Sequence, residues 1–496
     1  MNADPITVRV REVAFHVLPM RTRMPFKYGI ASLSALPHLL VRTEVEVGAR
    51  RVVGITAEGL PPKWFTKDPA TTFEQDLVGM LDVIRHAAAV AVELGRQPSV
   101  FAFWWALHQE QSRWAAERGH PPLLSGLGTS LMEGAVIDGF CQATASTFHE
   151  VARNGVLGLR LDAVHAELSG TDPAALLPSS PVPQVRVRHT IGLVDPLFNQ
   201  EISPAERLHD GLPQSLEEGI RRYGLRCFKL KLRGHLEADL ERLRGFAAAL
   251  EQAGVASPLW TLDGNEQFPT VAAFREVWER ASEDSRLRPL LGCLAAVEQP
   301  LHRTLALTGE TGDALRRWEG RPPWIIDESD GEPESLERAL ALGYAGISHK
   351  NCKGVIRGLA NACVLRRRTV ERPDLPFLLT SEDLANVGPV AMLQDLCVAA
   401  SLGLTHSERN GHHYFRGLSA FPTAVQEEVL AVHGDLYERA PAGFATLRIR
   451  HGALSTASMM AAPFGCGIRL DATEFQPLEA WAAKSLIAGH GHDRPF

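Results

Sequence analysis

From Val182 onward the chain repeats one pattern: an apolar, β-branched run, a charged residue at its end, then a helical stretch. The strand-like runs are VRVRHTIG, RCFKLKL, LWTLD, LAAVE, WIID, AGISHK, PFLLTSE and LGLTHSE. Helical stretches such as 236–253 and 386–402 alternate with them. Short apolar runs mark buried strands, and helices between consecutive strands make those strands parallel. Eight units in alternation predict a (β/α)8 barrel, whose chemistry sits at the C-terminal strand ends. The charged ends are Lys229, Lys231, Asp263, Glu298, Asp327, Lys350, Glu382 and Glu408, and from Lys231 to Lys350 they are 32, 35, 29 and 23 residues apart. One strand, one helix and two loops occupy roughly 25 to 40 residues. The spacing therefore predicts that acids and lysines gather at one mouth.

The first third of the chain reads differently. Residues 6–19, 38–47 and 50–59 are roughly alternating and read as strands, with a basic-aromatic loop from Arg21 to Tyr28 between the first two. A Pro-rich loop, GLPPKWFTKDP, then carries Trp64 and Phe65. Residues 73–95, 101–118 and 129–150 read as amphipathic helices, the first with a Thr-Thr-Phe-Glu start that suits an N-cap. Strands followed by helices predict an α+β domain. Near the end, LRIRHGALSTASMMAAPFGCGIRLD returns to short strands and is expected to pack on that first domain. The expected architecture is α/β: an α+β capping domain over 1–180, a (β/α)8-type barrel over 181–440, and a C-terminal segment, 441–496, completing the cap.

Composition narrows the function classes. At 496 residues, two to four domains are expected, and 45% hydrophobic content supports a large core. A net charge of -7 with both signs mixed and no long basic run argues against nucleic acid as a partner. No apolar run approaches the roughly 18 residues of a membrane span, and MNADPITVRVREV lacks a signal-peptide pattern. Seven cysteines without a C-x-x-C pair suit reduced thiols, so the expected location is cytoplasmic.

Carboxylates from three strands, Asp263, Glu298 and Asp327, suit a hard, oxygen-preferring cation such as Mg²⁺. A bound Mg²⁺ could chelate a substrate carboxylate and stabilise the enediolate formed when the neighbouring α-proton leaves. The base must be neutral, and a lysine crowded by a second lysine and a metal is expected to have a lowered pKa.

The ordered set Lys229-x-Lys231, Asp263-x-Asn265, Glu298-Gln299-Pro300, Asp327-Glu328-Ser329 and Lys350-x-x-Lys353-Gly354 resembles the motifs of the enolase superfamily. It looks most like the mandelate racemase/muconate lactonizing branch, and there the lysine-based muconate lactonizing subgroup. MPFKYG and AEGLPP resemble that branch's substrate-covering loops, and GCGIRLD its C-terminal strand. The resemblance implies Asp263, Glu298 and Asp327 as Mg²⁺ ligands, with Asn265 and Glu328 supporting them from behind. It implies Lys231 and Lys350 as acid/base catalysts on opposite substrate faces, and Lys229 as the group that neutralises the carboxylate. A homo-oligomer is likewise implied. Mandelate-racemase-type and acid-sugar members place a His-Asp dyad on later strands instead of the Lys350 lysine, which argues against those groups.

Substrate-binding candidates are Tyr28, Trp64, Phe65, Glu382, Glu408, His412 and His413. A zinc site at His406, His412 and His413 lacks complementary Cys or acid spacing. The expected reaction is Mg²⁺-dependent α-proton abstraction from a small carboxylate, leading to epimerisation, racemisation or cycloisomerisation. The alternatives are a dehydratase that eliminates water, and a catalytically silent metal-binding protein.

Overall fold

A computed structural model describes residues 6–485. Strands β1 (Val8–Tyr28), β2 (Ala31–Val47) and β3 (Arg50–Gly59) form an antiparallel meander. The stretch from Arg21 to Tyr28, expected as a loop, is instead the far arm of the β1–β2 hairpin, paired Phe26↔Leu33 and Tyr28↔Ala31. A register shift between Arg21 and Phe26 bends this arm. Its Phe26, Tyr28 and Leu33 pack with Ala385, Val387 and Tyr414 of the barrel in a second apolar cluster. That tertiary contact is what extends the strands, and local sequence does not report it.

Helices α1 (Phe73–Glu93), α2 (Val100–Glu117) and α3 (Pro122–Thr144) pack on the meander. Thr72 starts α1 with the expected cap: its side chain accepts from the Gln75 amide, and the Gln75 side chain accepts from the Thr72 amide at 2.7 Å. The third helix begins earlier than expected, on a proline at its first turn, and stops at Ala145, which takes a left-handed φ of 53°. A separate short helix, Phe148–Arg153, follows. A Cβ on Gly54 in β3 would lie 1.9 Å from the Ala135 carbonyl oxygen, so glycine is what lets α3 approach the sheet.

All eight expected barrel strands form: β4 (Gln184–Ile191), β5 (Cys227–Lys231), β6 (Leu259–Asp263), β7 (Leu294–Glu298), β8 (Trp324–Ile326), β9 (Gly346–His349), β10 (Leu378–Ser381) and β11 (His406–Arg409). They pair in parallel in the order 10-9-8-7-6-5-4-11. Among the described residues no backbone ladder joins β10 to β11; the Ser381 and Ser407 hydroxyls meet at 2.9 Å across that seam. In register, Lys231 lies beside Asp263 and Asp263 beside Glu298, which levels the charged tips along one rim. Late in the chain, Ala453–Ser455 pairs with β4 and Gln476–Pro477 with β1. The last segment therefore touches barrel and meander alike, not the first sheet alone.

Candidate active site

Lys229 stands at the centre of the rim. Its Nζ donates to Glu298 at 2.7 Å, Glu382 at 2.9 Å and Glu408 at 2.7 Å, and lies 2.9 Å from Asp263. Lys231, two residues on and hence on the same strand face, donates to Asp263 at 2.7 Å. Across the mouth, Lys350 donates to Asp327 at 2.7 Å and Glu382 at 2.6 Å. Lys353 reaches up to the Asp327 carbonyl at 3.0 Å and the Ser348 carbonyl at 2.9 Å, fixing the strand end that carries Asp327.

These acids work against the lowered lysine pKa expected beside a second lysine and a metal. Burial alone would lower Lys229, but Asp263, Glu298, Glu382 and Glu408 outweigh it and hold the ammonium well above its ordinary value. Lys350 is raised in the same way, burial being overcome by Asp327 and Glu382. Burial opposes ionisation of Glu382 too, yet Lys229, Lys350 and Arg188 hold it well below the usual carboxylate range. Glu298 goes the other way, pushed well up by burial and then by the charge of Glu382.

Three carboxylates, Glu298, Asp327 and Glu382, bring ligand atoms within 4.8 Å of one another. The expected set was Asp263, Glu298 and Asp327. Glu382 joins the last two in this group, and Asp263 lies beside it, 2.9 Å from the Lys229 Nζ and 2.7 Å from the Lys231 Nζ. The Glu298 Oε2 atom is buried without a hydrogen-bond partner, and the Nη1 of Arg188 is 3.9 Å away. An all-oxygen donor set with one unsatisfied carboxylate oxygen fits a hard divalent cation such as Mg²⁺.

The loops behind these acids are tightly held. The Asn265 amide donates to Asp263 at 2.8 Å, and its Nδ2 donates to Glu328 at 3.1 Å. Burial, then the charge of Asp327, pushes the Glu328 carboxyl up to about 7. Asn265, Glu266 and Gln299 all take positive φ, at 40°, 62° and 34°. Such strain persists only where neighbours over-determine it. Here Gly264 donates to the Glu298 carbonyl at 2.9 Å and Glu266 to the Gln299 carbonyl at 2.8 Å, zipping the two loops together.

The cap packs down over the mouth and leaves a tight cavity of about 40 Å³. Tyr28 and Trp64 line it, as do Glu382 and Glu408. The Lys350 Nζ sits 5.1 Å from the Trp64 ring centre, and the Lys231 Nζ 6.0 Å from that of Tyr28. Phe65 does not line the cavity; it is fully buried, edge-to-face on Trp64 at 4.8 Å. Arg303 holds this loop down, donating to the Trp64 and Phe65 carbonyls at 2.9 Å each while pairing with Glu266 at 2.9 Å. Lys67 adds a bond to the Asn265 carbonyl and a 3.2 Å pair with Glu266.

His412 and His413, expected from the sequence as substrate contacts, do not line the cavity. They pack with His189, whose Nδ1 is 3.1 Å from the His412 Nε2. Burial pushes His189 down to about 4 and the other two well below their ordinary value, so all three are neutral packing groups. No group around His406, His412 and His413 gathers as a metal site among the described residues.

Two site residues escaped the sequence reading. Arg188, fully buried in β4, donates to Thr261 at 2.7 Å and Glu382 at 2.9 Å. Its signal was present, because an arginine inside a buried strand needs an acid partner. Asn410 lines the cavity with its Oδ1 unpartnered, and only its place just beyond β11 hinted at this.

No family model and no curated protein matches the sequence. Solved structures do match. A dipeptide epimerase from Enterococcus faecalis V583 is 15% identical with a TM-score of 0.53, over 92% of this chain and 99% of that one. An enolase from Bradyrhizobium complexed with magnesium and mandelic acid is 14% identical with a TM-score of 0.55, over 92% and 94%. An N-succinyl Arg/Lys racemase from Bacillus cereus ATCC 14579 is 14% identical with a TM-score of 0.54, over 82% and 88%. The chain has their fold. It is a capped (β/α)8 barrel with its acids and lysines on the rim under the cap.

Proposed function

We propose that the chain is a Mg²⁺-dependent isomerase of the enolase superfamily, abstracting the α-proton of a small carboxylate substrate. The observation that carries this is the placement of Lys231 and Lys350 at separate strand ends of one cavity, with Glu298, Asp327 and Glu382 grouped there as well. Those three acids would hold the cation, with Asp263 beside them. The cation would neutralise the substrate carboxylate and make its α-proton more acidic. Taking up Asp327 and Glu382 would also remove the acids that keep Lys350 protonated, freeing it to act as a base. Lys229 would meet the remaining carboxylate charge, and Trp64 and Tyr28 would exclude water.

Lysines on both faces support epimerisation, racemisation or cycloisomerisation, because a proton can leave one side and return on the other. A dehydratase remains the second reading, since Glu408 lies in the same cavity and burial raises its pKa, as a general acid requires. Membership of the lysine-based subgroup, a homo-oligomer and a cytoplasmic location belong to the same proposal. They rest on the motif resemblance and on seven cysteines that form no disulfide.

Deuterium wash-in by NMR tests the reaction in Lys231→Ala and Lys350→Ala, with each stereoisomer of a substrate. An isomerase gives mirror-image losses. Loss in one variant only, with a product lighter by one water, establishes the dehydratase instead. Unchanged exchange in both variants removes the acid/base assignment, and no exchange with any carboxylate returns the protein to a silent metal-binding role.

A further inference from the structure

We propose that the substrate's α-substituent is compact, uncharged and apolar, an aryl or branched alkyl group seated under the cap. This rests on the proton-abstraction reading above. The roof consists of Phe26, Tyr28, Leu33, Pro61 and Trp64, with Leu384 from the rim, and none of these carries a charge. The Tyr28 hydroxyl is already committed, donating to the Pro62 carbonyl at 2.8 Å. Phe26 is backed by the Tyr414 ring, stacked at 4.2 Å, and the Tyr414 hydroxyl is committed to Asp195.

The charges below are committed to one another as well. Asp383 holds Arg409 and accepts from the Ala385 amide at 3.0 Å, while Glu408 holds Thr190 and Lys229. Lys231 and Lys350 each hold carboxylates. Against the roof itself a second substrate anion would find no cation and a substrate ammonium no acid, since its lining residues are uncharged. Burying either one unpaired is costly, whereas an apolar group gains from leaving water. The unpartnered Asn410 Oδ1 leaves room for one neutral donor, such as a hydroxyl or amide N–H.

The full chain with Mg²⁺ in D₂O would be given matched α-hydroxy and N-acetylamino acids whose side chains are benzyl, isobutyl, carboxyethyl or aminobutyl. Apolar members should exchange with a kcat/KM roughly tenfold or more above the charged ones. Phe26→Leu should raise KM for the benzyl members several-fold more than for the isobutyl members. Exchange that is uniform, or confined to charged side chains, overturns the substituent class while proton abstraction stands. Exchange with no member removes both.

Discussion

On the barrel rim, Lys229, Lys231, Lys350 and Arg188 share five buried carboxylates at hydrogen-bond distance. A few ångströms above, Phe26, Tyr28, Leu33 and Trp64 present rings and aliphatic carbon. The rim holds together by charge balance, so removing one member strands its partners in a dry site, at a cost of several kcal/mol. The roof holds together by area and shape, and its losses scale with the atoms removed. The rim would supply chemistry that many substrates share, and the roof would choose among them.

The steepest way to break this contrast is to neutralise a rim acid. Glu298→Gln, Asp327→Asn and Glu382→Gln should each lower kcat by on the order of 10²–10³, with weakened Mg²⁺ binding by calorimetry. Asp263→Asn sharpens the result. If it abolishes Mg²⁺ binding while Glu382→Gln retains it, the cation set is Asp263, Glu298 and Asp327, as the motif order implies.

Within the cap, adjacent aromatic residues should separate function from stability. Phe65→Ala empties a fully buried position and should cost about 3–5 kcal/mol by denaturant titration. Trp64 is buried too but lines the cavity, so Trp64→Ala should lower turnover beyond its cost in stability. If Trp64→Ala instead melts early with normal kinetics, the roof is packing and not part of the site.

A smaller effect lies where cap meets barrel. Glu133 in α3 accepts from the Val355 and Ile356 amides at 3.0 and 2.6 Å, capping a barrel helix. Burial pushes its carboxyl up to about 7 from an ordinary 4.5, against those two bonds. The folded state therefore binds more protons than the unfolded chain between those values. This group's contribution to stability falls as pH rises through that window. Glu133→Gln should flatten that part of the stability–pH curve, read by thermal melts from pH 4 to 8; an unchanged slope would assign it to other buried acids.

The rim was legible in the sequence because each strand end carries a charge after an apolar run, and charge at a strand end is a sharp local signal. Lys229, Lys231, Glu298, Asp327, Lys350 and Glu408 all reach one mouth for that reason. Glu382 was legible as a strand-end acid but not in its partners, which come from β4, β5 and the end of β9. The roof was poorly legible. Phe26 and Leu33 form strand only because they pack on Ala385 and Tyr414, more than 350 residues away. The histidines misled for the opposite reason: a polar run beyond β11 looks functional until burial shows His412 and His413 neutral and packed.

Arg303 and its partner Glu266 belong to the two loops that follow Glu298 and Asp263, and Arg303 also grips the carbonyls of Trp64 and Phe65. Whatever lifts the roof must pull on the loops beneath the acids. Roof and acid-bearing loops thus share one anchor, and any coupling between a ligand under the roof and the proposed cation would be reciprocal. A ligand that draws the cap shut would tighten the hold on the ion by the same factor that the ion tightens the hold on the ligand, through one guanidinium that touches neither.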